Sequence, residues 1–342
     1  MDPSCGGGTF LVRAYARKSV LNPALDHSDL LESIYGCDVL NYACHLSLIN
    51  LAIRDLIDDD NFPRIHLGDF LALRPGSVFD HQPVRIHAGG LVTETREINI
   101  CENEFNAIVG NPPYIQSREM SAQARRSYFD AISREWPLYQ WSRASDIYVY
   151  FWIHAERFLQ ENGYLGFLTQ AAWLDVEYGI PLQLWMLDNF RVVAVLETEA
   201  EPWFTGARVA TAVTVLQREN NEEARRNNLV GFVQFRRRLS EIVGLSDTEE
   251  ARQTSFAALR DEILELGNRK MKIIEFELFH SNNCLSPDLT AEPTLAASGA
   301  AICVQLIPFT NFKLDLQIDL SNYKTLRQFS AGSQLIAIAS SL

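Results

Sequence analysis

Positive charge is scarce in this sequence. It has 30 Lys and Arg residues against 43 Asp and Glu residues, which gives a formal net charge of −13. Because proteins that bind nucleic acid place Lys and Arg on the phosphates, this balance argues against a broadly basic binding surface. Any contact with phosphates has to come from a local group of arginines. Five arginines fall close together in the middle of the chain: Arg118, Arg125, Arg126, Arg134 and Arg143.

Paired cysteines and long apolar runs are also absent. The six cysteines are scattered without a Cys-x-x-Cys pair, which excludes the common structural zinc motifs and indicates a reducing compartment. No apolar run approaches the roughly 20 residues that cross a bilayer. The chain opens MDPSCGGGTF, without a basic and apolar leader. We therefore predict a cytoplasmic protein with no membrane association and no metal site.

Short apolar runs alternate with stretches of helical spacing over residues 1–220. This order predicts an α/β fold with an open, mostly parallel sheet and helices on both faces. The predicted strands are residues 33–39, 65–69, 105–110, 164–170, 191–199 and 210–218, the last of them antiparallel, with an inserted hairpin within 91–100. The predicted helices are residues 9–18, 41–57, 146–160 and 175–189, and residues 115–145 form a basic and aromatic segment.

The pattern changes after residue 220. A polar linker precedes a β-like run at residues 229–238 and a helical stretch at residues 247–266. With 342 residues and 47% hydrophobic residues, the chain is long enough for one large domain and part of a second. We therefore predict a catalytic domain at residues 1–220 and a partial α+β domain at residues 221–342.

The sequence Asn111-Pro112-Pro113-Tyr114 follows the strand predicted at residues 105–110. Prolines end the strand and fix an extended turn. In such a turn, the Asn111 side-chain oxygen and the Pro112 carbonyl can accept hydrogens from an amino group on a flat ring, while Tyr114 stacks on the ring. The alternative interpretation of these four residues alone is a proline-rich loop without a ligand.

Other candidate ligand groups stand at the ends of predicted strands. The turn containing Asp2, Cys5, Gly6 and Gly8 precedes a helix, and glycines let a backbone approach a ligand closely. Two acidic residues, Asp38 and Asp69, end the strands at residues 33–39 and 65–69. At such positions Asp38 can accept the hydroxyls of a ribose, and Asp69 can accept from an adenine amino group. The alternatives are a helix cap for Asp38 and a loop cap for Asp69.

Five segments taken together resemble DNA adenine-N6 methyltransferases of the γ arrangement, in which the cofactor motif precedes the catalytic motif. They are DPSCGGGTFL, IYGCDV, IHLGDF, FNAIVGNPPYI and ASDIYVYFWIHAERFLQENGYLGFLT. The resemblance covers about residues 1–220 and is greatest to the methyltransferase part of type IIG restriction–modification proteins. It implies a Rossmann-like class I methyltransferase sheet, S-adenosylmethionine as cofactor, and duplex DNA as the substrate, with the target base flipped out of the helix.

The resemblance also implies roles for individual residues. Asp2, Cys5, Gly6 and Gly8 would line the methionine part of the cofactor, with Cys5 as a packing residue rather than a nucleophile. Asp38 would bind its ribose and Asp69 its adenine. Asn111, Pro112, Pro113 and Tyr114 would form the catalytic motif. Phe204 would pack on the flipped base, although a core position for Phe204 and a role for Trp203 remain alternatives.

The sequence departs from this family in two places. The first strand, with an aromatic-containing motif upstream of the cofactor turn, is not seen, nor is a nuclease constellation. The basic recognition domain, which is long in the family, is short here: residues 221–342 would form a linker and part of a target-recognition or accessory domain. We therefore expect a truncated chain, which is inactive alone or needs a second polypeptide for the missing strand and DNA contacts. Two other interpretations stay open: a methyltransferase acting on RNA or protein glutamine, and an inactive binding subunit.

Overall fold

The computed structural model describes residues 1–57, 61–86, 92–198, 210–243, 248, 250–262 and 302–308. The chain divides into two compact units. The first comprises Met1–Arg134 and Asp146–Phe167, and the second comprises Glu135–Ser145 and Leu168–Leu342. Within the described ranges, no helix combines the length and apolar character needed to cross a membrane.

The first unit alternates strands and helices as the sequence predicts. Its elements are α1 (Thr9–Leu21), α2 (His27–Glu32), β1 (Tyr35–Asp38), α3 (Asn41–Ala52), β2 (Arg64–Leu67), β3 (Val78–Ile86), β4 (Val92–Asn99), β5 (Phe105–Gly110), α4 (Ala122–Glu135), α5 (Ile147–Ala155) and β6 (Leu159–Gln170). The last residue of α4 and the last three residues of β6 belong to the second unit. Strands β3 and β4 pair antiparallel, which confirms the inserted hairpin and extends it back to Val78.

Apart from the β3–β4 hairpin, the strands of the first unit pair in parallel. Strand β1 pairs with β2, and β5 pairs with β6, both in parallel. Between β1 and β5 lie Met1 and Asp2. The Met1 amine donates to the carbonyl oxygen of Ala107 at 2.8 Å, and Asp2 exchanges two backbone hydrogen bonds with β1. Met1 and Asp2 thus bridge β1 and β5, with an isolated bridge between Asp2 and Gly36. No strand precedes α1 in residues 1–8, all of which are described.

Helix α5 fills the middle of the first unit. All nine of its residues, IYVYFWIHA, are buried, as expected for a helix that is apolar on every side. The predicted helix at residues 146–160 was too long. A 3₁₀ turn follows at Glu156–Phe158, and β6 has begun by Leu159. The Asn162-Gly163 pair, interpreted as a helix end, instead lies in a bulge of β6, where Asn162 has a φ of 63°.

Helices α3 and α4 also differ from the sequence prediction. Helix α3 ends at Ala52 rather than at residue 57, because the Asn61 side chain donates to the carbonyl oxygens of Ala52 and Asp55, both at 2.8 Å. Helix α4 lies in the basic and aromatic segment for which no helix was predicted. Ser121 precedes it, and the Ser121 hydroxyl accepts from the Ala124 N–H at 3.1 Å, as an N-cap residue does.

The second unit contains a mixed sheet. Its elements are α6 (Gly179–Asn189), β7 (Phe190–Thr198), β8 (Thr211–Arg218), α7 (Glu222–Arg226), β9 (Leu229–Phe235), α8 (Leu239–Val243), α9 (residues 250–262) and β10 (Ile302–Pro308). Strand β8 is antiparallel to β7, as predicted. Strand β9 runs parallel to β7 and antiparallel to β10. The sheet therefore continues past residue 220, whereas the division into two functional domains at that point stays a prediction.

Candidate functional site

Four loops of the first unit leave the sheet at the carboxyl ends of neighbouring parallel segments. They follow Asp2, Asp38, Leu67 and Gly110. Because parallel strands end at the same edge of a sheet, these loops gather where open α/β sheets bind their ligands. All the sequence-predicted site residues except Phe204 lie in or next to these loops.

The glycine loop, residues 3–8, is held by side chains of β1 and α3. The Gly6 N–H donates to Oδ2 of Asp38 at 2.9 Å. From α3, the Ser47 hydroxyl donates to the Gly6 carbonyl oxygen at 2.7 Å, and Asn50 Nδ2 donates to the Gly7 carbonyl oxygen at 2.8 Å. Since Ser47 and Asn50 are one turn apart, they present their polar groups from the same helix face. The sequence analysis did not identify either residue.

Two glycines of this loop have left-handed backbone conformations. Gly6 has a φ of 53° and Gly8 a φ of 83°. A Cβ atom on Gly8 would come within 3.0 Å of the Ser47 hydroxyl oxygen and 3.2 Å of its Cα, so α3 leaves no room there. A Cβ on Gly6 would have no atom within 4 Å. The backbone at Gly6 therefore borders open space.

Asp38 organises the glycine loop from the end of β1. Its Oδ2 accepts from Gly6, and its Oδ1 accepts from the Leu40 N–H at 2.9 Å. Leu40, not Asp38, is the N-cap residue of α3, and no side chain caps this helix. The helix-cap alternative for Asp38 is therefore wrong. A carboxylate has about four acceptor positions, so both oxygens can accept further hydrogen bonds.

Asp2 is a fully buried acid beside the glycine loop. Its Oδ1 accepts from the Ser4 N–H at 3.1 Å, while Oδ2 is buried with no hydrogen-bond partner among the described residues. Burial raises the pKa of Asp2 to about 7. Gly110 lies against this carboxyl group, and a Cβ there would stand 2.6 Å from Oδ1. The site thus contains a buried acid with one oxygen left for a ligand.

Cys5 belongs to the apolar core of the first unit, together with Leu11 and Cys44. Burial raises the pKa of the Cys5 thiol to about 12, and Ser47 contacts its sulfur at 3.5 Å. A thiol with this pKa is protonated at neutral pH and is a poor nucleophile. These surroundings agree with a packing role for Cys5.

The Asn-Pro-Pro-Tyr turn is joined directly to the glycine loop. The Ser4 hydroxyl donates to the Asn111 carbonyl oxygen at 3.1 Å. The Asn111 side-chain oxygen Oδ1 is buried and has no hydrogen-bond partner among the described residues. Pro112 is buried, whereas Tyr114 is half-buried, and burial raises the pKa of the Tyr114 phenol. Since a buried acceptor without a donor is costly, Asn111 Oδ1 is available for a ligand donor.

The segment after the turn is fixed to the start of α5. The Ile147 N–H donates to the Ile115 carbonyl oxygen at 3.1 Å, and Oδ1 of Asp146 accepts from the Ser117 N–H at 2.9 Å. The exit of the turn is therefore positioned by a helix that is buried along its whole length. The sequence analysis placed Asp146 at the start of a helix but did not identify this contact.

Asp69 has two hydrogen-bond donors. Its Oδ1 accepts from the Leu71 N–H at 2.9 Å and caps the 3₁₀ turn Phe70–Ala72, so the loop-cap alternative is observed. Its Oδ2 accepts from the Tyr128 hydroxyl of α4 at 2.9 Å. The sequence analysis did not identify Tyr128 because it did not predict α4. Ser121, a typical N-cap residue, could have indicated where that helix starts.

Some predicted features lie beyond these loops. Phe204 and its alternative Trp203 fall outside the described residues, so their roles stay predictions. Within the described ranges, no group of three or more His, Cys, Asp and Glu side chains is arranged to hold a metal ion.

Comparison with known proteins gives several partial matches. The chain is 25% identical over 159 residues to the adenine-specific methyltransferase BrxX of Escherichia coli O9:H4 (strain HS), which is 42% of this chain and 12% of that protein. It is 29% identical over 125 residues to the type II methyltransferase M.PaeR7I of Pseudomonas aeruginosa, covering 36% and 21%. It is 22% identical over 229 residues to M.XhoI of Xanthomonas vasicola, covering 64% and 41%. The chain thus spans less than half the length of these curated relatives.

Fold and family are shown by two further matches. A solved chain of a type I restriction–modification system has a TM-score of 0.52 at 17% identity, over 92% of this chain and 52% of that chain. This match shows the same α/β fold and confirms the predicted fold class. A family profile for the Eco57I restriction-modification methylase matches residues 32–204, just over half of the 342 residues. The chain is therefore a member of the Eco57I restriction-modification methylase family.

Proposed function

We propose that this chain transfers a methyl group from S-adenosylmethionine to the N6 amino group of adenine in duplex DNA, within a restriction–modification or phage-defence system. The observation that supports this most directly is the buried, partnerless Oδ1 of Asn111, in a turn that is hydrogen-bonded to the glycine loop. The names of relatives, an adenine-specific methyltransferase and type II methyltransferases, agree with this activity.

The loops at the sheet edge fit the proposed cofactor. The open space at Gly6 and the partnerless Oδ2 of Asp2 would offer room and a hydrogen-bonding oxygen to its methionine part. Asp38 would accept from its ribose hydroxyls, and Asp69 from its adenine amino group. When bound, S-adenosylmethionine supplies a methyl group on a positively charged sulfur, which is the electrophile of the reaction.

The Asn-Pro-Pro-Tyr turn would activate the target amino group. An adenine amino nitrogen is a poor nucleophile because its lone pair is delocalised into the ring. Asn111 Oδ1 and the Pro112 carbonyl would each accept one amino hydrogen, which favours a tetrahedral nitrogen with a localised lone pair. Fixed acceptors of this kind lower the barrier through placement, without reorganisation during the reaction.

Stacking on Tyr114 would hold the target ring in place. Its phenol stays protonated at neutral pH, because burial raises its pKa, so the ring is uncharged. The N6 atom lies within a DNA duplex, and the base has to be flipped out to reach such a site. Phe204 is proposed to pack on the same base.

The test uses two measurements on the purified chain. First, calorimetry should give S-adenosylmethionine binding in about the micromolar range, and Asp38→Ala should lose it. Asp26→Ala is the matched control, because Asp26 also accepts a backbone N–H, from Asp29 at 2.9 Å, but at the start of α2. Absence of binding by a folded wild-type chain would overturn the cofactor assignment.

Second, transfer of labelled methyl should be followed on unmethylated duplex DNA, ribosomal RNA and a release-factor-like protein. Label is expected in DNA alone, on adenine N6, and should disappear with Asn111→Ala. Label in RNA or protein alone would contradict the DNA substrate. Cofactor binding without transfer to any of the three would instead support the inactive binding subunit.

A further inference from the structure

Helix α4 is held to the first unit by little apolar packing. Of its 14 residues, all of them described, only Ile132 is buried. Helices in proteins owe most of their stability to the packing of an apolar face. Polar contacts therefore matter more for the position of α4 than for the position of the fully buried α5.

Those polar contacts reach two of the loops that form the candidate site. The Tyr128 hydroxyl donates to Asp69 Oδ2 at 2.9 Å, and Arg125 Nη1 donates to the Ser117 carbonyl oxygen at 3.2 Å. The Tyr128 ring also packs against the Tyr150 ring, with 5.6 Å between centroids. Helix α4 thus connects the loop after β2 with the segment that follows the Asn-Pro-Pro-Tyr turn.

We infer that α4 is a lid of the cofactor pocket and that Tyr128 is its latch, because Tyr128 holds the Asp69 oxygen that the cofactor adenine would use. This inference rests on the proposed function. Oδ1 of Asp69 already accepts from the Leu71 N–H within the 3₁₀ turn, so we assign the adenine amino group to Oδ2. The Tyr128 hydroxyl, whose pKa is raised to about 12 by burial and by Asp69, is a protonated donor at neutral pH. It already donates to Oδ2, so a second donor on the same oxygen weakens this hydrogen bond.

Displacement of Tyr128 couples the cofactor side of the site, at Asp69, to the Asn-Pro-Pro-Tyr turn. An amino group that donates to Asp69 Oδ2 competes with the Tyr128 hydroxyl and weakens the latch. Without this hydrogen bond, α4 keeps Ile132 as its one buried residue, the Tyr128–Tyr150 ring contact and the Arg125 hydrogen bond to Ser117 among its contacts. Ser117 is close in sequence to Tyr114. Cofactor binding therefore loosens the segment that receives the target base, and linkage requires that base binding and cofactor binding affect each other equally.

The first test needs no ligand. In Tyr128→Phe, which loses only the hydroxyl, amide hydrogen exchange over residues 122–134 should be about tenfold faster than in the wild type, with α5 unchanged. Tyr139→Phe is the matched control, because Tyr139 also donates to an aspartate, Asp188 Oδ2 at 3.2 Å, within the second unit. Equal exchange over residues 122–134 in Tyr128→Phe and the wild type would overturn the latch.

The second test measures binding of S-adenosylhomocysteine and S-inosylhomocysteine, which differ in the amino group of the purine. Tyr128→Phe should bind S-adenosylhomocysteine about tenfold more tightly than the wild type. It should bind S-inosylhomocysteine, which has no amino group for Asp69, no more tightly than the wild type does. Unchanged or weaker binding of S-adenosylhomocysteine would contradict competition at Asp69 and would make Tyr128 a support for that carboxylate.

The two proposals fail in different ways. If the wild-type chain binds neither compound, the proposed cofactor is wrong. The claim that α4 covers a cofactor pocket is then also wrong, even if hydrogen exchange shows that Tyr128 holds α4. If the wild type binds S-adenosylhomocysteine and Tyr128→Phe changes neither exchange nor affinity, the proposed function stands and the latch is refuted.

Discussion

Replacement of Asn111 by alanine should greatly slow methyl transfer without weakening the fold. The Asn111 Oδ1 atom is buried and makes no hydrogen bond within the described residues. An unsatisfied buried acceptor costs about 1–3 kcal/mol, and its removal offsets the packing lost with a half-buried side chain, about 1 kcal/mol. We expect the free energy of unfolding to rise by about 1 kcal/mol, which for a chain of this size raises Tm by about 2 °C.

The rate of methyl transfer should fall in Asn111→Ala, although the free energy of unfolding rises. Loss of one preorganised acceptor or donor at a reacting group typically lowers the rate about 10²–10³-fold. The assay combines thermal unfolding with single-turnover transfer of labelled methyl to duplex DNA at saturating cofactor. A Tm lowered by more than about 4 °C, or a rate near that of the wild type, would refute the reasoning.

Asn228 provides the contrasting control for this prediction. It is buried, and its Nδ2 donates to the Val192 carbonyl oxygen at 2.8 Å. Asn228→Ala leaves that buried carbonyl without its donor, so the free energy of unfolding should fall by about 1–3 kcal/mol. The two asparagine variants should therefore shift Tm in opposite directions.

Three further predictions concern the glycine loop. Asp38→Ala removes the acceptor of the Gly6 N–H and should weaken S-adenosylmethionine binding about 100-fold or more, as measured by calorimetry. Because burial raises the pKa of Asp2 from 3.8 to about 7, the native state holds a proton that the unfolded chain releases, and stability falls as pH rises through this interval. Asp2→Asn should therefore be more stable than the wild type at pH 8 and equally stable at pH 3 in urea unfolding, and equal stability at pH 8 would contradict this. Gly8→Ala should lower the free energy of unfolding by about 2 kcal/mol, because Gly8 has a positive φ and its added Cβ contacts Ser47. Gly6→Ala should lower it by about 1 kcal/mol, because only the positive φ applies there. Equal losses in the two variants would argue against the Ser47 contact.

Sequence patterns predicted the elements whose signals are local. The strand at residues 105–110 has the predicted bounds, because an apolar run there ends at a glycine followed by prolines. Helix α1 starts at Thr9, as predicted, directly after the glycines. The family motifs then placed Asp2, Asp38, Asp69 and Asn111 at one edge of the sheet, and the structure brings their loops together.

Other features depend on contacts that no local pattern encodes. The Asn162-Gly163 pair suits both a helix end and a strand bulge, and pairing of β6 with β5 decides for the bulge. Helix α4, by contrast, does have a local signal, in the Ser121 cap and in the helical spacing of Tyr128, Phe129 and Ile132. The Tyr128 to Asp69 hydrogen bond joins residues 59 positions apart. Only the three-dimensional structure shows that the Asp69 carboxylate already accepts a hydrogen bond from Tyr128.

Contacts within the protein fix the backbone of the glycine loop. Hydrogen bonds from Ser47 and Asn50, the acceptor at Asp38 and the Ser4 contact with Asn111 fix its backbone. A ligand that binds there has little chain entropy to remove, since the conformational cost has been met during folding. In calorimetric terms, the heat-capacity change of binding should correspond to the ligand's own contact area and not to the larger value typical of a segment that folds on binding.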